Sequence, residues 1–355
     1  MPTVSSNVRL AELTSLRLGG PAARLVEASS SAELIDAVRS CDERGEPVLV
    51  LGGGSNVVIG DAGFDGTVVL VASRGVQVDA EGCSPDDLAA CGGVVVTAAA
   101  GESWDGLVGR AVAEGWVGIE ALSGIPGAVG ATPMQNVGAY GQEVAETIWT
   151  VRTYDRVEQA VRTFANADCG FDYRTSRFRS DGRHVVLDVS YQLRHGDLGA
   201  PVKYAELARS LGVEVGERKP IADVRDAVLG LRRGKGMVLD DADLDTWSVG
   251  SFFTNPLLDA AQASALPDAA PRWPLPDGRV KTSAAWLIEQ AGYRRGYPGP
   301  GGRVALSGKH TLALTNRGQA STDDLLALAR EVRDGVRTAF GVELVHEPVL
   351  VGCSL

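Results

Sequence analysis

Three stretches of this chain place small polar groups where an anion, a flat ring or a moving proton would need them. In LGGGSNVVIG, three bare glycines (Gly52, Gly53, Gly54) precede Ser55 and Asn56. Consecutive peptide units without side chains can turn several N–H groups onto one anion, as a pyrophosphate requires. A tight turn between strands uses the same residues. The run is not an ordinary dinucleotide loop, because Val57 stands where G-x-G-x-x-G needs its third glycine. Nor is Gly234-Lys235-Gly236 a P-loop, for it lacks the Ser or Thr and the upstream glycine. The second stretch, SGIPGAVGATPMQNVGAYG at 123–141, is rich in glycine, holds two prolines and carries no charge. So many flexible and rigid joints suit a backbone pressed against a flat polar ligand, with Gln135 and Asn136 reading its edge. A segment this long and uncharged is hard to keep hydrogen-bonded without a ligand, which favours a bound cofactor. The third, VGSFFTNP, sets Ser251 between a glycine and two aromatic rings, with no G-x-S-x-G elbow and no neighbouring histidine in the sequence. A lone serine is ordinarily bonded to backbone, so its chemistry has to come from its surroundings.

The elements that must hold these residues follow from pattern and composition. At 355 residues the chain exceeds the size of one core, so two or three subdomains are expected. Apolar residues at 45% and charged residues at 22% are globular proportions, and no run approaches the ~18 apolar residues of a membrane span. With no basic and apolar leader at its start, the chain is expected in the cytoplasm. A net charge of -11 with scattered Lys and Arg argues against a nucleic-acid partner, so an anionic substrate needs a local cationic pocket. The five cysteines (Cys41, Cys83, Cys91, Cys169, Cys353) form no C-x-x-C pair and read as reduced, with no metal site. Residues 22–71 read as strand, helix, strand, turn, strand, with Ser30 and Glu33 as a capping box and Gly45 ending the helix. A β-rich segment follows to about Leu193, with a helix near Trp104 to Glu114. After the acidic stretch at Asp240, helices are expected at Ala284 to Gln290 and at Thr322 to Phe340, the latter with Leu325, Leu328, Val332 and Val336 on one face. The proline-rich ALPDAAPRWPLPDGR reads as a loop and Val342 to Gly352 as a final strand pair.

Seven motifs stand in one order: LGGGSNVVI, SGIPGAVGATPMQNVGAYGQE, FDYRTSRF, the R-x-x-K of Arg232 to Lys235, GSFFTNP, AAWLIEQAG and HEPVLVG. Together they resemble the UDP-N-acetylenolpyruvoylglucosamine reductase family, in its subclass with a tyrosine-bearing loop, over nearly the whole chain. The resemblance implies an α+β fold: a two-lobed FAD-binding domain of the vanillyl-alcohol-oxidase (PCMH) type plus a C-terminal α+β substrate-binding domain. The expected divisions are 1–75 for lobe 1, 76–239 for lobe 2 and 240–355 for the substrate domain, with the last strands returning to lobe 1. It implies non-covalent FAD, NADPH as hydride donor, and a UDP-sugar enol ether as substrate in peptidoglycan precursor synthesis, handled by a monomer without membrane insertion. An oxidase of the same flavin fold and a non-catalytic nucleotide-sugar binder are the alternatives.

The resemblance also assigns residues. FAD falls to Gly52, Gly53, Gly54, Ser55 and Asn56, and to Ser123, Gly124, Ile125, Pro126 and Gly127. Further along the second loop it falls to Gln135, Asn136, Gly138, Ala139 and Tyr140. Ser251 becomes the proton donor to the substrate carbon, Arg174 the guanidinium that faces the substrate carboxylate, and Glu347 a helper of one or the other. Gly250 is expected to let the substrate approach closely, and Phe252 and Phe253 to exclude water. Tyr173, Tyr204, Lys235, Asn255 and Gln290 are implied as substrate contacts, Lys235 and Tyr204 at the diphosphate. Where many relatives read P-E-V-R, this chain has His346-Glu347-Pro348-Val349, which keeps the glutamate and lacks the arginine.

Overall fold

Ser30 starts the first helix, Ser31–Glu43, by accepting from the Glu33 N–H, and Glu33 answers one residue upstream by accepting from the Ser29 N–H. Gly45, at φ +64°, closes the far end with a bond to the Asp42 carbonyl. The structure is a computed structural model and describes residues 2–79, 93–179 and 182–355. Cys83 and Cys91 lie outside the described residues; Cys41, Cys169 and Cys353 are free thiols. The chain falls into two units. One comprises Met1–Val8, Ala22–Gly53 and Asp65–Gly234; the other comprises Arg9–Pro21, Gly54–Phe64 and Lys235–Leu355.

In the first unit, a four-stranded sheet runs in the order Thr3–Arg9, Pro21–Ala28, Phe64–Val71, Val48–Leu51. Its Val26, Ala28 and Val69 pack on Leu34 and Val38 of the helix. A second, antiparallel sheet runs in the order Ala160–Ala165, Ile148–Asp155, His184–His195, Val94–Ala99, Val76–Asp79. Alternate side chains of Val94, Val96 and Ala98 enter a core that also takes Trp104, Leu107 and Val108 from the helix Trp104–Ala113. That helix starts on Ser103, which caps Gly106 N–H.

The second unit is built around the helix Thr322–Phe340, whose Leu325, Leu328, Val332 and Val336 are fully buried as the 3.6-residue period requires. Each such side chain contributes about 1.5–3 kcal/mol by leaving water. Two expectations are corrected here. Arg272–Pro274, inside the proline-rich stretch, is a strand antiparallel to Val280–Thr282. A proline is tolerated there because Arg272–Pro274 is an edge strand and one side of its backbone needs no partner. The C-terminal strand pair is a single strand, Val349–Val351, running parallel to Val57–Ile59. The backbone just before it is already spent: the Val345 carbonyl accepts from Thr254 N–H, and Glu347 N–H donates to the Phe252 carbonyl.

Candidate active site

In the first unit the glycine loop 123–141 is held from below by the start of the helix Trp104–Ala113. Trp104 N–H donates to the Gly127 carbonyl, Gly124 N–H to Asp105 Oδ1 at 2.6 Å, and Trp104 Nε1 to the Leu122 carbonyl. Ser123 is fully buried and turns its hydroxyl onto the Glu120 carbonyl. Gly53 meets this loop backbone to backbone: a Cβ there would lie 2.6 Å from Gly127 Cα, and one on Gly52 3.6 Å from Ala128 Cβ. Gly53 therefore lies against Gly127 with no room for a side chain between the two glycine loops, as a loop pair built from bare backbone requires.

Asn136 departs from its expected job. Its amide donates to Glu143 Oε2 (2.8 Å) and to the Asp172 carbonyl, and its Oδ1 accepts from Ala145 N–H. Both amide hydrogens are thus spent on holding the loop rather than reading a ring. Gln135 is buried beside it. Arg174 sits in a tight turn closed by reciprocal bonds between Asp172 and Thr175, at φ +54°. Its guanidinium donates to the carbonyls of Gly138 (2.7 Å) and Asn136 (3.3 Å) and lies over the Tyr173 ring. Arg174 is thereby docked on the second glycine loop.

Tyr204 stands edge-on to Tyr140, ring centroids 5.7 Å apart, and a Cβ on Gly141 would meet Lys203 Cβ at 2.7 Å. The tyrosine-bearing loop is pressed onto the end of the glycine loop. Burial lifts the Tyr140 phenol to about 12 and brings the nearby Arg232 guanidinium down to about 10, which leaves it charged at neutral pH.

In the second unit Gly54, at φ +61°, leaves no room for a side chain: a Cβ would fall 1.9 Å from the Leu13 carbonyl oxygen. Two residues on, the Asn56 carbonyl accepts from Val349 N–H. Ser251 follows Gly250, which stands at φ +74° with no atom beyond its chain neighbours within 4 Å of where a Cβ would be. Phe252 N–H donates to the Leu312 carbonyl at 2.7 Å, and Glu347 N–H to the Phe252 carbonyl at 2.8 Å. Phe253 bridges His346. Ser251 and Glu347 are therefore brought together by main-chain bonds. The rings of Phe252 and Phe253, 5.1 Å apart, are wholly buried in the core, so they anchor this segment instead of screening a pocket.

Asn255 Oδ1 accepts from Ala284 N–H, the first N–H of the helix Ala284–Gln290, whose cap is Ser283. Gln290, at that helix's end, lines an open groove of about 600 Å³ with Glu289, Gly292, Arg294 and Arg295. Lys235 is half-buried where the chain leaves the helix Ile221–Gly234.

Two residues escaped sequence reasoning. Glu120 is buried among apolar residues and accepts from Gly118 N–H, Ala200 N–H and Gln142 Nε2. Its signal was a carboxylate inside GIEALSG, which has no reason to be there unless fully hydrogen-bonded. His310 lies 3.3 Å from Ser251 through its Nε2, from 59 residues away in the chain. Nothing in the local sequence announces that contact.

Comparison with known proteins adds to this geometry. An FAD binding domain family matches residues 22–163, and the C-terminal domain family of UDP-N-acetylenolpyruvoylglucosamine reductase matches residues 242–351. The chain is 57% identical over 353 residues to UDP-N-acetylenolpyruvoylglucosamine reductase of Salinispora arenicola (strain CNS-205), covering 98% of this chain and 95% of that one. It is 55% identical to the protein of that name from Thermobifida fusca (strain YX), covering 98% of both. A crystal structure of UDP-N-acetylenolpyruvylglucosamine reductase from Thermus caldophilus superposes with a TM-score of 0.65 at 23% identity, covering 99% of this chain and all of that one, which is a likeness of fold.

Proposed function

This chain belongs to the UDP-N-acetylenolpyruvoylglucosamine reductase family, and from that premise we propose how its residues divide the work. The protein is an FAD-containing oxidoreductase that uses NADPH to reduce UDP-N-acetylglucosamine enolpyruvate to UDP-N-acetylmuramate in peptidoglycan precursor synthesis. Its fold is α+β, with a two-lobed FAD-binding domain and a C-terminal substrate-binding domain. The proposed division is lobe 1 at 1–75, lobe 2 at 76–239 and the substrate domain at 240–355. When bound, FAD supplies the relay that takes hydride from NADPH and hands it to the enol-ether methylene carbon.

Hydride arrival leaves negative charge on the adjacent carbon and, by conjugation, on the carboxylate. Arg174 faces that carboxylate, because a guanidinium stays charged and offers two parallel donors. Ser251 gives its proton to the carbon. A hydroxyl is a weak acid in water, yet an enolate-like carbanion is basic enough to take its proton. Glu347 completes the set. Gly52 to Asn56, Ser123 to Gly127, Gln135 and Gly138 to Tyr140 hold FAD on a loop that Asn136 braces, and Tyr173, Tyr204, Lys235, Asn255 and Gln290 hold the UDP-sugar. Among the described residues no helix is long and apolar enough to cross a membrane; a cytoplasmic monomer completes the proposal.

The observation that supports the site assignment most directly is the pair of main-chain bonds that holds Phe252, the residue after Ser251, between the Leu312 and Glu347 backbones. Stopped-flow absorbance tests it. In Ser251→Ala the flavin should bleach with NADPH at the parent rate, and its recovery on adding enol ether should slow by roughly 10²–10⁴-fold. Recovery as fast as the parent's would remove Ser251 from the chemistry.

A further inference from the structure

His310 occupies the loop of the hairpin Val304–Leu306 and Leu314–Asn316, and its Nε2 lies 3.3 Å from Ser251 Oγ. Building on the reading of Ser251 as proton donor, we propose that His310 is the residue that positions the serine: its Nε2–H donates to Oγ and leaves the single hydroxyl proton for the substrate. A serine hydroxyl has one proton and two lone pairs. If that proton pointed at Nε2 it would be withheld from the carbon, so an acid at this position needs the imidazole as donor. The same bond strengthens as Oγ gains negative charge, which is when stabilisation accelerates the step.

The loop that carries His310 is built to hold it still. Ser307 Oγ accepts from Lys309 N–H (3.0 Å) and His310 N–H (3.2 Å), and Ala313 N–H returns to the His310 carbonyl at 3.0 Å. Gly308 N–H is bound by Asp245 Oδ1, the Lys309 ammonium pairs with Asp243, and Thr311 donates to Glu289. The Leu312 carbonyl takes Phe252 N–H, so the loop and the peptide after Ser251 are one hydrogen-bonded piece. This is more anchoring than a turn of seven residues needs, and it fixes an imidazole at a single hydroxyl.

The Oγ–H bond breaks and its proton forms the new C–H bond with the carbanion's electron pair. The oxygen keeps the pair of its broken bond, held by Nε2–H, and solvent water restores its proton before the next turnover. The one proton taken from solvent accompanies the one hydride taken from NADPH.

Three variants of the holoenzyme test this. His310→Ala should slow flavin recovery by the enol ether roughly 10- to 100-fold, the loss expected for one hydrogen bond to a developing charge, and leave bleaching by NADPH unchanged. His310→Gln, which keeps an N–H donor at similar reach, should regain most of that loss. In a Ser251→Ala background, His310→Ala should add less than about 2-fold, because the two residues act as one unit. Multiplicative losses in the double variant would overturn the proposal. Ser251→Ala reacting at the parent rate would instead sink the proton-donor reading beneath it, so the two failures are told apart. A readout independent of turnover is the ring-nitrogen spectrum of the ¹⁵N-histidine-labelled protein. His310 should be the Nε2–H tautomer with a signal that moves in Ser251→Ala, and an Nδ1–H tautomer there would also overturn the proposal.

Discussion

Arg174 shows how a single residue is committed to a task at a cost. Among the described residues six non-glycines adopt positive φ, and three of them, Asn136, Tyr140 and Arg174, belong to the candidate site. A left-handed backbone at a branched or long side chain costs on the order of 1–3 kcal/mol and persists where the surroundings over-determine it. At Arg174 the surroundings are the Asp172–Thr175 turn and the carbonyls of Asn136 and Gly138, which aim the guanidinium. Arg174→Lys leaves the backbone strain as it is, since both residues carry the same Cβ. It removes the fork. Turnover should therefore fall by roughly 10²–10³-fold, the loss typical of one transition-state donor, while FAD content and thermal stability stay near the parent's. Near-normal turnover in this variant would make Arg174 a clamp for the loop and nothing more.

At the scale of elements, the helix Thr322–Phe340 shows what the sequence makes legible and what it hides. Its buried face was readable because Leu325, Leu328, Val332 and Val336 recur at helical spacing. Its docking was not. Thr322 and Asp323 N–H groups bond the Asp61 carboxylate, an anion supplied at the helix's positive end from a segment far away in the chain. Asp324 completes a capping box with Ser321 and takes both arms of Arg303. Hydrogen bonds from Arg303 hold the Asp324 carboxyl far below the usual carboxylate range. An aspartate in the unfolded chain titrates near ~3.9. The folded value lies lower, so the stability from Asp324 is complete above that pH and is lost as pH falls towards the folded value. Asp324→Asn should cost about 1–2 kcal/mol at neutral pH, as loss of a cap and an ion pair does. The gap in denaturant midpoint between parent and variant should narrow as pH drops to about 3. A gap of the same size at both pH values would mean that the ionised carboxylate is not what stabilises the helix start.

At the scale of the whole molecule, sequence reasoning reached the local and missed the long-range. The glycine loops, the Ser251 stretch and the helices carry their signals within a dozen residues. The histidine beside Ser251 and the edge strand at Pro274 depend on contacts that only the fold creates. This has a consequence for how the second unit holds together. Residues 235–355 do not contain it all: the unit also draws in Arg9–Pro21 and Gly54–Phe64. Leu16, Leu18 and Val58 are members of its core, Val57–Ile59 is the only strand paired with Val349–Val351 among the described residues, and the Asn316 amide donates to the carbonyls of Leu16 and Arg17. A fragment of 235–355 would lose those apolar contacts and the sheet partner of its last strand. It would also leave the amide of buried Asn316 and the N–H of buried Thr322 without their acceptors. Unpaired buried groups of this kind cost about 1–3 kcal/mol each, a large share of the few kcal/mol that hold a domain folded. The fragment should therefore show helical far-ultraviolet circular dichroism without near-ultraviolet signal or a cooperative melt, as a state with secondary structure and no fixed packing does. A sharp thermal transition close to the parent's would show that 235–355 folds on its own, and that the two inserted segments are guests in its core rather than parts of it.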